Sequence, residues 1–160
     1  NFILISIYMA AKREIRDKQF LELNDDIAKI KELYPNDYWI IGGDWNIEPK
    51  EMETKMNHEF LFLIGHQDQL KPTWTSANNS SVIDHFMVSD SLFNPQQPIQ
   101  SEIMTDNNIS DHRRIELSIK NIAITEHRSW QIPKKYAARM DPIIINGKAD
   151  QISVTGNRSL

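Results

Sequence analysis

Apolar residues alternate along the chain from Phe2 to Tyr8, with β-branched Ile3, Ile5 and Ile7 on one side. A period of two predicts a strand. From about residue 13 to residue 34 the period changes. Phe20, Leu23, Ile27, Ile30 and Tyr34 recur at spacings of three and four, and Pro35 lies just past them. That spacing predicts an amphipathic helix. Tyr38-Trp39-Ile40-Ile41 predicts a second short strand, broken by Gly42-Gly43. The first third is therefore strand–helix–strand, an α/β arrangement. A second helix is expected over 53–64, and strands over 72–75, 81–88 and 114–119. Polar turns such as Ser76-Ala77-Asn78-Asn79-Ser80 separate them.

Beyond Asn121 the pattern loosens. Pro133, Pro142, Gly147 and Gly156 punctuate a stretch with six Lys/Arg against two Asp/Glu over 127–160. The expected division is a domain over 1–121 and a basic, linker-like tail over 122–160. The whole chain of 160 residues carries a net charge of −4, so the body before the tail is the more acidic part. A uniformly acidic body is not the usual footprint of a nucleic-acid binder, and metal-binding carboxylates or solvated surface fit it.

Hydrophobic residues make up 40 % of the chain, enough for a core. No apolar run is long enough to predict a membrane span. The absence of cysteine excludes a disulfide framework and a thiolate metal site. An intracellular setting, nuclear or cytoplasmic, is the default expectation. The chain opens on strand-like residues without an initiator Met, which leads us to expect a fragment of a longer protein.

Three short segments carry candidate chemistry. Gly43-Asp44-Trp45-Asn46 follows an apolar strand, Ile83-Asp84-His85 lies inside one, and Ser110-Asp111-His112 precedes another. Strand ends are where a rigid sheet presents side chains to a cleft. Phosphodiester hydrolysis needs a metal to neutralise phosphoryl oxygens, a group to orient water and donors for developing charge. Asp44, Asp84 and Asp111 supply carboxylates, the ligand type that Mg²⁺ takes. His112 can donate to a phosphoryl oxygen or exchange a proton. Asn46 offers an amide that can fix a water or an oxygen. Taken singly, Gly-Asp-x-Asn is an ordinary turn and Asp-His an ordinary loop pair. Their order, each attached to a strand, favours a site.

That series resembles the last three motifs of the endonuclease/exonuclease/phosphatase superfamily, closest to the LINE-type retroelement and apurinic/apyrimidinic endonucleases. Tyr8 matches the superfamily's active-site tyrosine, and Pro72-Thr73-Trp74 resembles the segment before its late aspartate. The match spans roughly residues 1–120. The resemblance implies a four-layer α-β-β-α sandwich, of which this chain holds the C-terminal half. It also implies roles. Asp44 activates or positions water, Asn46 orients that water or the phosphate, and His112 contacts the scissile phosphate. Asp84 holds His112, Asp111 binds or supports the metal (Mg²⁺ or Mn²⁺), and Tyr8 contacts phosphate.

Two departures stand out. Met9-Ala10-Ala11 follows Tyr8 where the nuclease branches usually carry a Pro. The superfamily's N-terminal metal-binding Glu and early Asn have no counterpart, so this fragment is expected to be inactive alone. The function expected of the complete protein is a metal-dependent DNA endonuclease, with DNA as partner. The alternatives are a phosphatase or phospholipase of the same superfamily, or a non-catalytic remnant of a mobile-element protein. Trp74 is expected in core packing. His66 and Asp68 are expected in solvent near a helix end, and Arg113-Arg114 at a solvated strand start.

Overall fold

The alternating face of Phe2–Tyr8 and the apolar run after Tyr38 become adjacent strands. The computed structural model describes residues 2–56, 58–68, 71–92, 99–105, 110–120, 143–148 and 151–156. Strands β1 (Phe2–Tyr8) and β2 (Tyr38–Asp44) pair in parallel. A parallel pair needs a crossover. Helix α1 (Arg13–Leu33) supplies it. Beside β2 lies antiparallel β6 (Asp84–Ser89), and beside β6 lies β3 (Leu61–Ile64). The first sheet thus runs β1-β2-β6-β3.

Helix α1 lasts until Pro35 forbids more. The residue before a proline is driven out of the helical region. Tyr34 accordingly caps the helix at φ −133° and ψ 62°. Phe20 and Ile27 are buried against the first sheet, and Leu23 and Ile30 flank them.

Period-two alternation sorts the sheet's side chains between two cores. Trp39, Ile41 and Met87 face the helical side, where they meet Phe20, Ile27 and Met52. Ile40, Phe86 and Val88 face the other way. There they meet Ile103, Ile115, Leu117 and Ile119 of a second sheet. That sheet contains β7 (Gln100–Ile103) and β8 (Ile115–Lys120). It continues with β10 (Gln151–Gly156) and β9 (Ile143–Lys148), in the order β7-β8-β10-β9. Helices, first sheet and second sheet are three stacked layers, as an α/β sandwich fragment requires. A short hairpin of β4 (Trp74–Thr75) and β5 (Ser80–Ser81) stands apart.

Three expectations are corrected. Gly42 and Gly43 do not break β2, which continues to Asp44. A Cβ at Gly42 would lie 2.5 Å from the Phe86 ring, and one at Gly43 would collide with the Ile7 carbonyl. The glycines are what allow both neighbours to approach. The helix expected over 53–64 is instead α2 (Pro49–Lys55) followed by β3. Pro49 sits in the helix's first turn, where its fixed φ suits the start. Within the expected linker-like tail, β9 and β10 are strands, and β10 pairs with β8. Their sequences are rich in Ile, Val and Thr, which favour extended backbone. The boundary expected at 121 lies outside the described residues. Among the described residues no helix is long and apolar enough to cross a membrane.

Candidate active site

The register of the first sheet builds one row of side chains. Tyr8 of β1 is the partner of Asp44 in β2, and Asp44 is the partner of Asp84 in β6. Directly paired residues point to the same face of a sheet. By alternation this is the face that carries Leu4, Ile40, Phe86 and Val88 into the core between the sheets. At the row itself the apolar residues give way to a phenol and two carboxylates. Tyr8 is 61 % exposed. The carboxylates are each 11 % exposed.

His112 completes the row from the second sheet, just before β8. Its Nδ1 lies 3.1 and 3.0 Å from the two carboxylate oxygens of Asp84. An ionised carboxylate only accepts, so Nδ1 carries the proton of this contact. On the opposite side of the ring, Nε2 lies 3.8 Å from Asp44 Oδ2. That gap is too long for a hydrogen bond but close enough for charge attraction. The hydrogen bond to Asp84 raises the His112 pKa most; burial opposes it, and the charges of Asp84, Asp44 and Asp111 add to the rise.

The backbone after β2 locks Asp44. Asn46 adopts φ 52°, a left-handed conformation that Asn tolerates better than most residues. Its N–H donates to Asp44 Oδ1 at 3.0 Å, and its side-chain amide donates to the Met9 carbonyl at 2.8 Å. Met9 N–H returns a bond to the Asp44 carbonyl. Asn46 therefore ties together the two loops that leave β1 and β2.

Thr73 and Trp74 hold the segment bearing His112. Buried Thr73 accepts from the N–H groups of Ile83 and Asp84 through Oγ1, at 2.9 and 3.0 Å. Its carbonyl accepts from Arg113 N–H. Trp74 bridges His112 and donates its indole N–H to Asp111 Oδ2 at 2.8 Å. Ser110 donates to Asp111 Oδ1. The Trp74 bond is the main reason the Asp111 carboxyl sits below its ordinary pKa. Trp74 is thus only partly buried and orients a carboxylate, rather than filling the core as expected. Arg113 is also less solvated than expected, with its guanidinium on the Pro72 carbonyl.

Two histidines lie beneath the row. His85 is 1 % exposed and its Nε2 bonds the Ile47 carbonyl. His66, expected in solvent, is 5 % exposed and stacks on His85 with ring centroids 6.0 Å apart. Burial lowers the pKa of both. A polar residue beside Gly65 gave no local sign of burial; its partners lie far along the chain.

Asp111 is exposed and ionised, and a hydrated Mg²⁺ takes one or two carboxylates with water and phosphate oxygens. Among the described residues no group of three or more His, Asp or Glu could hold a metal ion. The residues present thus offer such an ion one suitable carboxylate rather than a finished cage.

Two facing sheets with helices outside are consistent with the fold of the endonuclease/exonuclease/phosphatase superfamily. Within it, the family profile described as endonuclease-reverse transcriptase matches residues 2–116, and the chain belongs to that family. Solved structures share the fold. Beta toxin of Staphylococcus aureus superposes with a TM-score of 0.55 at 19 % identity, covering 73 % of this chain and 52 % of the toxin. Truncated TDP2 of Caenorhabditis elegans gives 0.53 at 18 %, covering 71 % and 52 %. The cytolethal distending toxin of Haemophilus ducreyi gives 0.51 at 15 %, covering 72 % and 48 %. The chain spans about half the length of these structures. No curated protein matches it.

Proposed function

We propose that this chain supplies the acid–base half of a metal-dependent phosphodiester hydrolase that cuts DNA. The observation that carries the reading is His112 held by Asp84 at Nδ1 and facing Asp44 at Nε2. Asp84 fixes the tautomer and favours the charged ring, so Nε2 presents a proton toward a phosphoryl oxygen. Asp44, oriented by the Asn46 N–H, accepts a proton from attacking water or positions that water. Tyr8, in the same row, offers its hydroxyl to the phosphate. A divalent cation, Mg²⁺ or Mn²⁺, held in part by Asp111 would neutralise charge on the phosphate.

The family's description as an endonuclease supports DNA over an inositol phosphate or a phospholipid. With DNA as the substrate, the setting proposed is the nucleus or cytoplasm. The test is plasmid nicking in Mg²⁺ by the polypeptide encoded by the complete open reading frame around these residues. We expect nicking, and its loss by about 10²–10⁴-fold in Asp44→Ala and His112→Ala. Hydrolysis of inositol phosphate or sphingomyelin with DNA left intact would overturn the substrate while keeping the chemistry. No hydrolysis of any of the three would overturn both.

A further inference from the structure

The peptide of Asp84 is gripped from both sides by buried side chains that cannot reach a substrate. Its N–H is taken by Thr73 Oγ1 at 3.0 Å. Its carbonyl is taken by His66 Nε2 at 2.9 Å. A carbonyl only accepts, so His66 carries its proton on Nε2. In the neutral ring Nδ1 is then an acceptor, and the Ser101 hydroxyl donates to it across 2.8 Å. Ser101 is fully buried in β7. It also pairs with His66 through a backbone bridge, and its carbonyl accepts from Gln67 N–H. The His66 ring therefore spans the gap between the sheets, from β7 of the second to β6 of the first. Its stacking on His85 fixes the plane of the ring.

We propose that His66, set by Ser101, is a positioning residue that holds the Asp84 carboxylate in line with His112. The inference rests on reading His112 as the reacting imidazole. Asp84 stands at the first position of β6, where the ladder has only just begun. Register with Asp44 and the Thr73 bond hold that end of the strand from one side, and the His66 bond to its carbonyl is the contact that ties it to the second sheet. His112 comes from the second sheet and Asp84 from the first, so their two-oxygen contact depends on how the sheets are spaced at this point. A rigid aromatic ring with a donor on one side and an acceptor on the other fits that span. Burial lowers its pKa against the opposing pull of the Asp84 carbonyl and charge, which favours the neutral ring and this tautomer.

The test reads His112 and does not require turnover. In the 160-residue chain, the ring signals of the five histidines are followed by NMR across pH, with His112 assigned by its own substitution. His66→Phe keeps a ring over His85 and removes both hydrogen bonds. His66→Gln returns an amide donor near the place of Nε2. Ser101→Ala frees Nδ1. We expect the His112 midpoint to fall toward the ordinary 6.5 in His66→Phe, to fall less in Ser101→Ala, and to recover in His66→Gln. A residue that only packs would lower the melting temperature of all three and leave the His112 midpoint where it was. That result, in His66→Phe or Ser101→Ala where the variant folds, would overturn the proposal. So would a His66→Gln chain that folds without recovering the midpoint. Should His66→Phe not fold, Ser101→Ala and His66→Gln decide between the same outcomes. Failure of the complete protein to cut DNA would count against the hydrolase reading and leave this titration unaffected. An unchanged titration beside intact cleavage would remove the positioning role alone.

Discussion

Asp44 and Asp84 are direct partners across β2 and β6, and both carboxylates are turned to the same side of the sheet. The spacing of the two acids around His112 is therefore set by strand register rather than by loop conformation. A slip of one residue in either strand would send its acid to the helical side. Tyr8 joins the same row through the parallel pairing of β1 with β2.

Asp84→Asn should lower the His112 midpoint, because it removes the largest cause of the rise. The sign for stability follows. A histidine whose folded pKa is raised stabilises the fold fully below its unfolded value, near 6.5, and that contribution is lost as pH rises through the folded value. The native chain should thus exceed His112→Gln in urea stability by most below pH 6.5, and the difference should shrink as pH rises through the folded midpoint. Paired urea titrations at several pH values check this. A difference that grows with pH would contradict it.

Gly43→Ala should be costly at a position with no side chain to lose. Gly43 has φ 143°, and a Cβ there meets the Ile7 carbonyl. We expect a loss of at least about 2 kcal/mol in denaturant unfolding. A loss under about 0.5 kcal/mol would mean that β1 can move away from β2 without penalty.

Asn46→Gly and Asn46→Ala separate backbone from side chain. Both lose the bond to the Met9 carbonyl, but only Ala is strained at φ 52°. Ala should be the less stable of the two by about 1 kcal/mol. Equal stabilities would show that the left-handed turn relaxes freely.

Trp74→Phe keeps a ring and deletes the indole donor. The Asp111 carboxyl, now below its ordinary value chiefly because of that donor, should titrate at higher pH in the variant. Carbon-detected NMR of the side-chain carboxyl reads this directly. An unshifted Asp111 would remove Trp74 from its orienting role.

Much of this could be read along the chain because the signals are local. Alternation marks β1, a three-and-four spacing marks α1, and the acids follow apolar strands. What escaped depends on distant partners. Met52, Met56, Phe60 and Ile64 recur every four residues, which suits a helix as well as anything else. Only pairing with β6, more than twenty residues on, makes 61–64 a strand. His66 looks solvated until Ser101 and the Asp84 carbonyl are seen to close around it. Trp74 reads as a core aromatic because nothing nearby announces the carboxylate of Asp111.

The row of Tyr8, Asp44, Asp84 and His112 lies crosswise, taking one residue from each of three neighbouring strands and its fourth member from the segment before β8 of the facing sheet. Each contributor is followed or preceded by its own loop. Such loops can be lengthened, recharged or exchanged one at a time while the hydrogen-bond ladders beneath keep their pairing. The carboxylate–imidazole arrangement can then be kept unchanged while the rim around it is rewritten.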